Sequence, residues 1–185
     1  APTGVTVELA HAFAQALGAA LDLVPYDGAG KVVADAADDV WDVAFLAVDP
    51  QRGATLAYTR PYLRIEGVFA VRADAPFAVP DDLDRDGVVI GVGTGAAYDL
   101  HLSRAFGKAG FKRYPTSAAV LPAILADGLD AGAGVRQPVE AFVAATPGLR
   151  VIPQAFMAIA QAVAVAKAKA AALACGVSIA AVSKA

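Results

Sequence analysis

The sequence predicts an α/β protein of two lobes, each built on a parallel-rich sheet flanked by helices, with a cleft between them. Apolar segments of strand length alternate with segments of helical periodicity along most of the 185 residues. A polar connection, residues 74–86, divides two such series and carries two prolines and five aspartates, which we interpret as a solvated face. We therefore expect lobe 1 to hold residues 1–72 and 154–185, and lobe 2 to hold residues 73–153.

The first series begins with an amphipathic helix. Thr6 is a suitable N-cap, and apolar residues follow at helical spacing until Gly18. Residues 21–26 alternate as in a short strand, residues 31–39 are typical of a second helix, and residues 41–46 are almost continuously apolar. Together these segments predict a βαβ unit.

The second series starts after the polar connection, with a strand at 88–92, a glycine turn at 93–95 and a helix at 96–106. The other predicted elements are an extended stretch at 65–71, strands at 111–114, 129–133 and 149–152, helices at 118–126 and 138–145, and a helical, alanine-rich region from residue 155 onward.

Composition excludes several classes of partner. The formal net charge of −3 gives no basic field for nucleic acid. The longest uncharged stretch, residues 151–166, is shorter than the roughly 20 apolar residues of a membrane helix. The single cysteine, Cys175, rules out an internal disulfide and a cysteine-rich metal site, and a packing role is expected for it. A small-molecule partner is the best default.

Six segments, taken in order and at their separations, carry a resemblance: residues 4–10 (GVTVELA), 41–43 (WDV), 49–52 (DPQR), 58–62 (YTRPY), 89–92 (VIGV) with 95–100 (GAAYDL), and 129–131 (LDA). They resemble family 3 extracellular solute-binding proteins, the polar amino-acid-binding components of ABC importers. The resemblance implies a two-lobed fold of the type II periplasmic-binding-protein kind. It also implies a monomer that closes on a small polar, carboxylate-bearing solute and delivers it to a membrane ABC permease, with no cofactor, metal or nucleic acid.

The sequence departs from the family pattern at both ends. The family's first strand is not found ahead of residue 4, and the C-terminal region is richer in alanine than is usual. No basic segment followed by an apolar run opens the chain, so no signal segment is expected in it. The resemblance implies a periplasmic or extracellular location.

Arg52 is the principal candidate for ligand binding, because similar proteins place an arginine in this loop to grip the ligand's carboxylate. A guanidinium presents a planar fork to a carboxylate and stays charged when partly desolvated. An ordinary surface arginine is the alternative. Ala47, at the end of the preceding apolar segment, is assigned to the same site. Asp49 would either accept a donor from the ligand or orient the arginine.

The turn before the second-lobe helix is the candidate for the other side of the site. Exposed amides at a helix N-terminus bind anions without a charged side chain. The resemblance makes Gly95, Ala96 and Ala97 part of the carboxylate clamp, with only their backbone contributing. No Gly-Lys-Ser/Thr follows this turn, so a nucleotide-binding loop is excluded.

Three further residues are candidates with open alternatives. Tyr26 follows a predicted strand end and would offer a ring and a hydroxyl to the ligand, or pack half-buried. Amino-acid binders of the family carry an aspartate for the ligand's ammonium where Val135 stands. A buried unpaired ammonium is costly, which counts against an α-amino acid but leaves that ligand open. Arg136 and Gln137 would suit a carboxylate with neutral polar groups, or form a capping pair at the surface.

No motif assigns a catalytic residue, and binding is the leading function. The rival is an enzyme, because cyclohexadienyl dehydratases of the same fold eliminate water and carbon dioxide from a prephenate-like acid. Glu8, Glu66 and Glu140 would act as the acid only if they reach the cleft. A sensory ligand-binding domain is a third reading. His11 and His101 fall in different lobes and form no metal-ligand set.

Overall fold

A computed structural model describes residues 2–38 and 40–174. Its helices are α1 (Val5–Leu17), α2 (Ala29–Ala34), α3 (Ala97–Ala105), α4 (Val120–Ala126), α5 (Arg136–Ala144) and α6 (Lys167–Ala174). Its strands are β1 (Ala44–Ala47), β2 (Leu56–Tyr58), β3 (Leu63–Arg72), β4 (Val89–Gly93), β5 (Gly110–Tyr114), β6 (Ala131–Val135), β7 (Leu149–Val151) and β8 (Met157–Ala166). The predicted α/β class is confirmed. Cys175 and the rest of the predicted tail lie outside the described residues.

The strands of the described residues join in one sheet of order β1-β8-β3-β6-β4-β5, with β2 beside β8 and β7 beside β3. The predicted extended stretch is part of β3, which pairs with β8 over residues 63–67 and with β6 and β7 over residues 67–72. We call the described part of residues 2–67, together with β8 and α6, the first half of the protein, and residues 68–152 the second half. The first half of the sheet is thus β1, β2, β8 and residues 63–67, and the second half is β4 to β7 with residues 68–72. The predicted lobe boundaries stay a prediction.

Gly67 lies where β3 changes partners. A Cβ there would lie 2.8 Å from the ring of Phe156 and 2.9 Å from the Cγ of Met157. The Phe156 amide donates to the Gly67 carbonyl at 2.9 Å, and its ring stacks on Phe69 with 4.3 Å between centroids. The missing side chain therefore lets the segment that returns from the second half cross directly over β3.

Within the second half, β4, β5 and β6 have the predicted parallel arrangement, because β4 runs parallel to both β5 and β6. Residues 67–72 of β3 pair antiparallel with β6 and β7. Successive residues of β3 point to opposite faces of the sheet. Phe69 packs with Ile90 and with Leu102 of α3 on one face. Val68 packs with Ile124 of α4 on the other. Helices thus cover both faces of this half, as the apolar runs of its strands predict.

The first half differs from its prediction. β1, β2 and β3 all pair with β8 in the antiparallel orientation, so the parallel-rich sheet expected for lobe 1 is not found among the described strands. The predicted strand at 21–26 is wrong, because these residues form no strand and most of their side chains are exposed. A parallel pair needs a second strand beside the first, and alternation within one segment cannot supply it. The predicted βαβ unit is therefore incomplete.

The alanine-rich region is also corrected. Residues 157–166 form β8, a strand and not a helix, and helix begins only at Lys167. Alanine favours helix in isolation, but Ala162 and Ala164 are fully buried between strands on both sides of β8. Pairing along two edges outweighs a local preference that amounts to less than about 1 kcal/mol per residue.

Helix α1 confirms the first predicted element, although its N-cap is Gly4 and not the predicted Thr6, and its apolar face is left open. Val5, Leu9, Phe13 and Leu17 recur at every fourth position and are 37–60% exposed. No other described element covers this stripe. No helix among the described residues combines the length and the apolarity needed to cross a bilayer.

Asp84, interpreted from the sequence as solvated, instead ties the polar connection to the α3–β5 loop. Its carboxylate accepts hydrogen bonds from the amides of Gly107 at 3.1 Å, Lys108 at 2.7 Å and Ala109 at 3.1 Å. These three backbone hydrogen bonds lower the pKa of Asp84 below its ordinary value, and the bond from Lys108 has the largest effect. The ionised form is therefore favoured in the folded protein.

We expect Asp84→Asn to lower the melting temperature at neutral pH and to weaken its acid dependence. Because the pKa of Asp84 is lower in the folded protein than in the unfolded chain, its ionised carboxylate stabilises the fold at pH values above the unfolded pKa of about 3.9. This stabilisation is lost as the pH falls and the carboxylate becomes protonated. The difference in melting temperature between wild type and variant should thus be full at pH 7 and shrink below about pH 4. The exposed Asp86→Asn serves as the control, and a difference independent of pH would contradict the assignment.

Candidate functional site

Arg52 joins the two halves of the protein through its guanidinium. It follows β1 in a short helical turn and is only 3% exposed. Its Nη1 donates to the carbonyl of Ala47 at 3.0 Å, and its Nη2 donates to the carbonyl of Gly95 at 2.7 Å. Three residues predicted from separate segments are therefore brought into direct contact.

The charge of Arg52 has no ionic partner in the described part of the chain. Both its acceptors are neutral carbonyl groups, and none of the described carboxylates forms an ion pair with it. Burial lowers the pKa of Arg52, and Tyr58 and Asp49 offset this effect only in part. A buried cation is costly unless a counter-charge reaches it. This guanidinium would therefore be stabilised by an anion.

Asp49 is engaged by an arginine other than Arg52. It is 4% exposed, accepts the Gln51 amide at 2.8 Å, and binds Nη2 of Arg104 at 2.7 Å. Arg104 belongs to α3 in the second half, so the pair crosses between the halves. No sequence signal pointed to Arg104, which lies within a helix and outside every recognisable motif.

The N-terminus of α3 faces the first half but is partly occupied. The Gly95 amide donates to Oδ2 of Asp99 at 2.9 Å, and the Ala96 amide donates to the Gly93 carbonyl at 3.0 Å. Asp99 is 3% exposed and also binds Nε of Arg113 at 3.0 Å. Of the three predicted amides, that of Ala97 alone has no acceptor among the hydrogen bonds of the described residues.

The surface around Ala97 is apolar. Ala97 packs with Ala47 and Ile159 of the first half, and Ile65 and Val135 border this cluster. Val135 thus presents an apolar side chain at the position where the resemblance predicts an aspartate. We call the region around Arg52 and Ala97, where the two halves meet, the contact region. Among the described residues it combines the unpaired charge of Arg52 with apolar walls.

Two glycines bring the halves into backbone contact beside Arg52. Gly95 has a φ of +68°, and a Cβ on it would lie 2.9 Å from the Cα of Gly30. A Cβ on Gly30 would lie 3.2 Å from the carbonyl oxygen of Thr94. The two halves are therefore in direct backbone contact at this point. A side chain at Gly95 would collide with the opposite half, and one at Gly30 would be in tight contact with it. Sequence reasoning did not single out Gly30 for this role.

Tyr26 is placed on the first-half core. Its hydroxyl donates to Oδ2 of Asp35 at 2.8 Å, and its ring borders the cluster that contains Trp41 and Leu46. Burial is the main cause that raises the pKa of Tyr26, followed by the hydrogen bond to Asp35. Its hydroxyl already has a partner within the first half.

Arg136 and Gln137 lie at a separate position. Arg136 binds Glu66 through Nε, Glu140 through Nη1 at 3.0 Å and the carbonyl of Pro153 through Nη2 at 2.9 Å. Both residues line a cavity of about 340 Å³, together with Arg64, Ile65, Glu66 and Ala158. Ile65 also borders the cluster at Ala97, so the cavity adjoins the contact region. No hydrogen bond or ion pair among the described residues joins this position to Arg52.

None of the candidate acids forms a hydrogen bond or an ion pair with Arg52 among the described residues. Glu66 and Glu140 both accept hydrogen bonds from Arg136 and are about half exposed, with side-chain exposures of 51% and 50%. Glu8 is exposed on α1. Within residues 2–38 and 40–174, no group of three His, Cys, Asp or Glu side chains is arranged to hold a metal ion.

Comparison with known proteins identifies the fold. The family model of bacterial extracellular solute-binding proteins, family 3, matches residues 1–176. No curated protein matches the chain.

Holo ArgBP from T. maritima has a TM-score of 0.78 at 23% identity, over 92% of this chain and 75% of that one. The substrate-binding protein of an amino acid ABC transporter has a TM-score of 0.74 at 18% identity, over 91% and 75%. The periplasmic VFT2 domain of Bordetella pertussis BvgS has a TM-score of 0.72 at 20% identity, over 89% and 72%. These likenesses confirm the two-lobed, type II periplasmic-binding-protein fold.

Proposed function

Because the chain belongs to the bacterial extracellular solute-binding proteins of family 3, we propose that it binds a small carboxylate-bearing solute between the two halves of its sheet. Solute binding is the function of the family. The carboxylate, the residues that hold it and the delivery of the solute to a membrane ABC permease are the proposed parts. An extracytoplasmic location follows from the same proposal.

The buried guanidinium of Arg52 carries this proposal. It is fixed by the carbonyl groups of Ala47 and Gly95, which orient it without neutralising it. A carboxylate that enters between the halves would add charge-assisted hydrogen bonds, which are about twice as strong as neutral ones. The amide of Ala97, at the positive end of α3, would be a second donor to the same anion.

The remainder of the solute is proposed to lack a positive charge. An arginine-bound form of ArgBP is among the similar structures, but here the position expected for an aspartate is Val135, which borders the apolar cluster. Asp49 is paired with Arg104 and capped by the Gln51 amide, so it is not free to receive an ammonium group. An ammonium group in this region would be desolvated without a counter-charge, which is strongly unfavourable.

A thermal-shift panel of matched compounds tests the proposal. We expect L-lactate, pyruvate, succinate or L-malate to raise the melting temperature, by an amount equivalent to about 2.7 kcal/mol at a hundred times the dissociation constant. L-Lactamide removes the charge of lactate, and L-alanine replaces its hydroxyl by an ammonium group. Stabilisation by the amide equal to that by the acid would contradict the carboxylate, and stronger stabilisation by alanine than by lactate would contradict the uncharged remainder.

A further inference from the structure

The ion pair between Asp49 and Arg104 is a charged contact that joins the two halves beside Arg52. The Glu66–Arg136 pair also crosses between the halves, at β3, where the chain itself already connects them. Asp49 lies in the loop after β1, and Arg104 lies on α3, 55 residues away in the chain. Nη2 of Arg104 lies 2.7 Å from Oδ2 of Asp49, and its Nη1 lies 3.5 Å from Oδ1. The guanidinium of Arg104 therefore contacts both carboxylate oxygens of Asp49.

Removal of one partner of this pair is expected to cost more than removal of one partner of a surface salt bridge, because it leaves a mostly buried carboxylate without a counter-charge. The side chain of Asp49 is 4% exposed and that of Arg104 is 39% exposed. The Gln51 amide holds Oδ1 of Asp49 at 2.8 Å, so the carboxylate is already fixed in direction. A pre-oriented and mostly desolvated acceptor loses little side-chain entropy when the arginine binds, whereas exposed pairs lose much of their Coulomb energy to that entropy and to solvent screening.

The pair also depends on closure in a way that the other contacts of each half do not. Asp49 belongs to the first half and Arg104 to the second, so separation of the halves breaks the pair and exposes the Asp49 carboxylate to water. The Arg113–Asp99 and Lys112–Asp127 pairs, by contrast, join residues of the second half alone. Opening would leave those pairs intact.

We propose that Arg104 is a positioning residue, whose ion pair with Asp49 holds the two halves closed before any solute binds. The proposal rests on the proposed function, in that the closed contact region is taken to be the solute site. A solute enters only when the Asp49–Arg104 pair has opened, and the pair re-forms over the bound molecule.

Small-angle scattering of the full chain without added solute tests this inference. Arg104→Gln is expected to increase the radius of gyration, and to raise the amide hydrogen-exchange rate of residues 95–99 several-fold. Lys112→Gln removes a positive charge from the same half and breaks the 2.8 Å pair with Asp127. This control should scatter like the wild type. A radius of gyration for Arg104→Gln equal to that of the wild type would overturn the proposal, and so would an equal expansion in both variants.

Asp49→Asn gives an independent measurement from the other side of the pair. The asparagine keeps an oxygen for the Gln51 amide but loses the charge. We expect it to expand the protein as Arg104→Gln does, and the double variant to expand it no further, since both changes remove one interaction. Additive expansion would refute the pair as the cause. None of these measurements uses a solute, so a thermal-shift panel in which no carboxylate binds would contradict the proposed function and leave this test unaffected.

Discussion

Replacement of Arg52 by alanine is expected to abolish the thermal stabilisation that L-lactate, or whichever carboxylate of the panel binds best, gives the wild-type protein. Among the described residues of the contact region, Arg52 is the buried charge without an ionic partner, and two carbonyl groups already orient its guanidinium. At a hundred times the wild-type dissociation constant, the variant should lack the whole of the roughly 2.7 kcal/mol that ligand binding adds. Thermal unfolding with and without the compound measures this directly, and calorimetric titration checks it.

Two further variants separate the role of Arg52 in binding from its role in folding. Arg60→Ala, at an exposed position between β2 and β3, removes the same charge from the same half and should retain the full shift. Arg52→Lys keeps the charge but not the planar fork and should bind with intermediate affinity. In Arg52→Ala the loss of the donor to two carbonyl groups destabilises the unliganded protein, whereas the removal of a buried charge stabilises it, so the two effects on folding oppose each other. A full shift in Arg52→Ala would remove this residue from the site.

The parts of the site that follow strand ends could be predicted from the sequence. Arg52 and Gly95 lie 43 residues apart, yet each comes shortly after the carboxyl end of a buried strand, where the ligand sites of α/β folds are found. Arg104 could not be found in this way. It projects from within a helix, and its contact with Asp49 depends on how the two halves approach each other, which no local pattern records.

The fold, too, could be predicted where local sequence decides the structure, and could not be predicted where residues far away in the chain decide it. In the second half, apolar runs and helical periodicity agree with the parallel sheet, because helices on both faces bury its strands. In the first half, residues 21–26 have the alternation of a strand but no strand beside them, and residues 157–166 have the composition of a helix but neighbours on both edges. Strand formation is decided by pairing, which depends on residues far away in the chain.

Gly95→Ala is expected to keep the halves from closing, and so to weaken binding of the best carboxylate about tenfold or more, equivalent to at least about 1.4 kcal/mol. Two costs arise from the added methyl group. The φ of +68° at Gly95 is unfavourable for alanine by about 1–2 kcal/mol. The new Cβ would also lie 2.9 Å from the Cα of Gly30, and a backbone atom cannot move aside as the end of a side chain can.

Gly128→Ala separates these two costs. Gly128 has the same φ of +68°, but a Cβ on it would have no atom within 4 Å. Both variants should therefore lose similar stability through backbone strain, whereas Gly95→Ala alone should bind more weakly and scatter as a larger particle. Calorimetric titration and small-angle scattering on the two proteins make the comparison. Because the strain is matched, equal affinities would mean that the approach of Gly30 to Gly95 is not needed for solute binding, and a loss confined to Gly95→Ala would locate the closing contact at these two glycines.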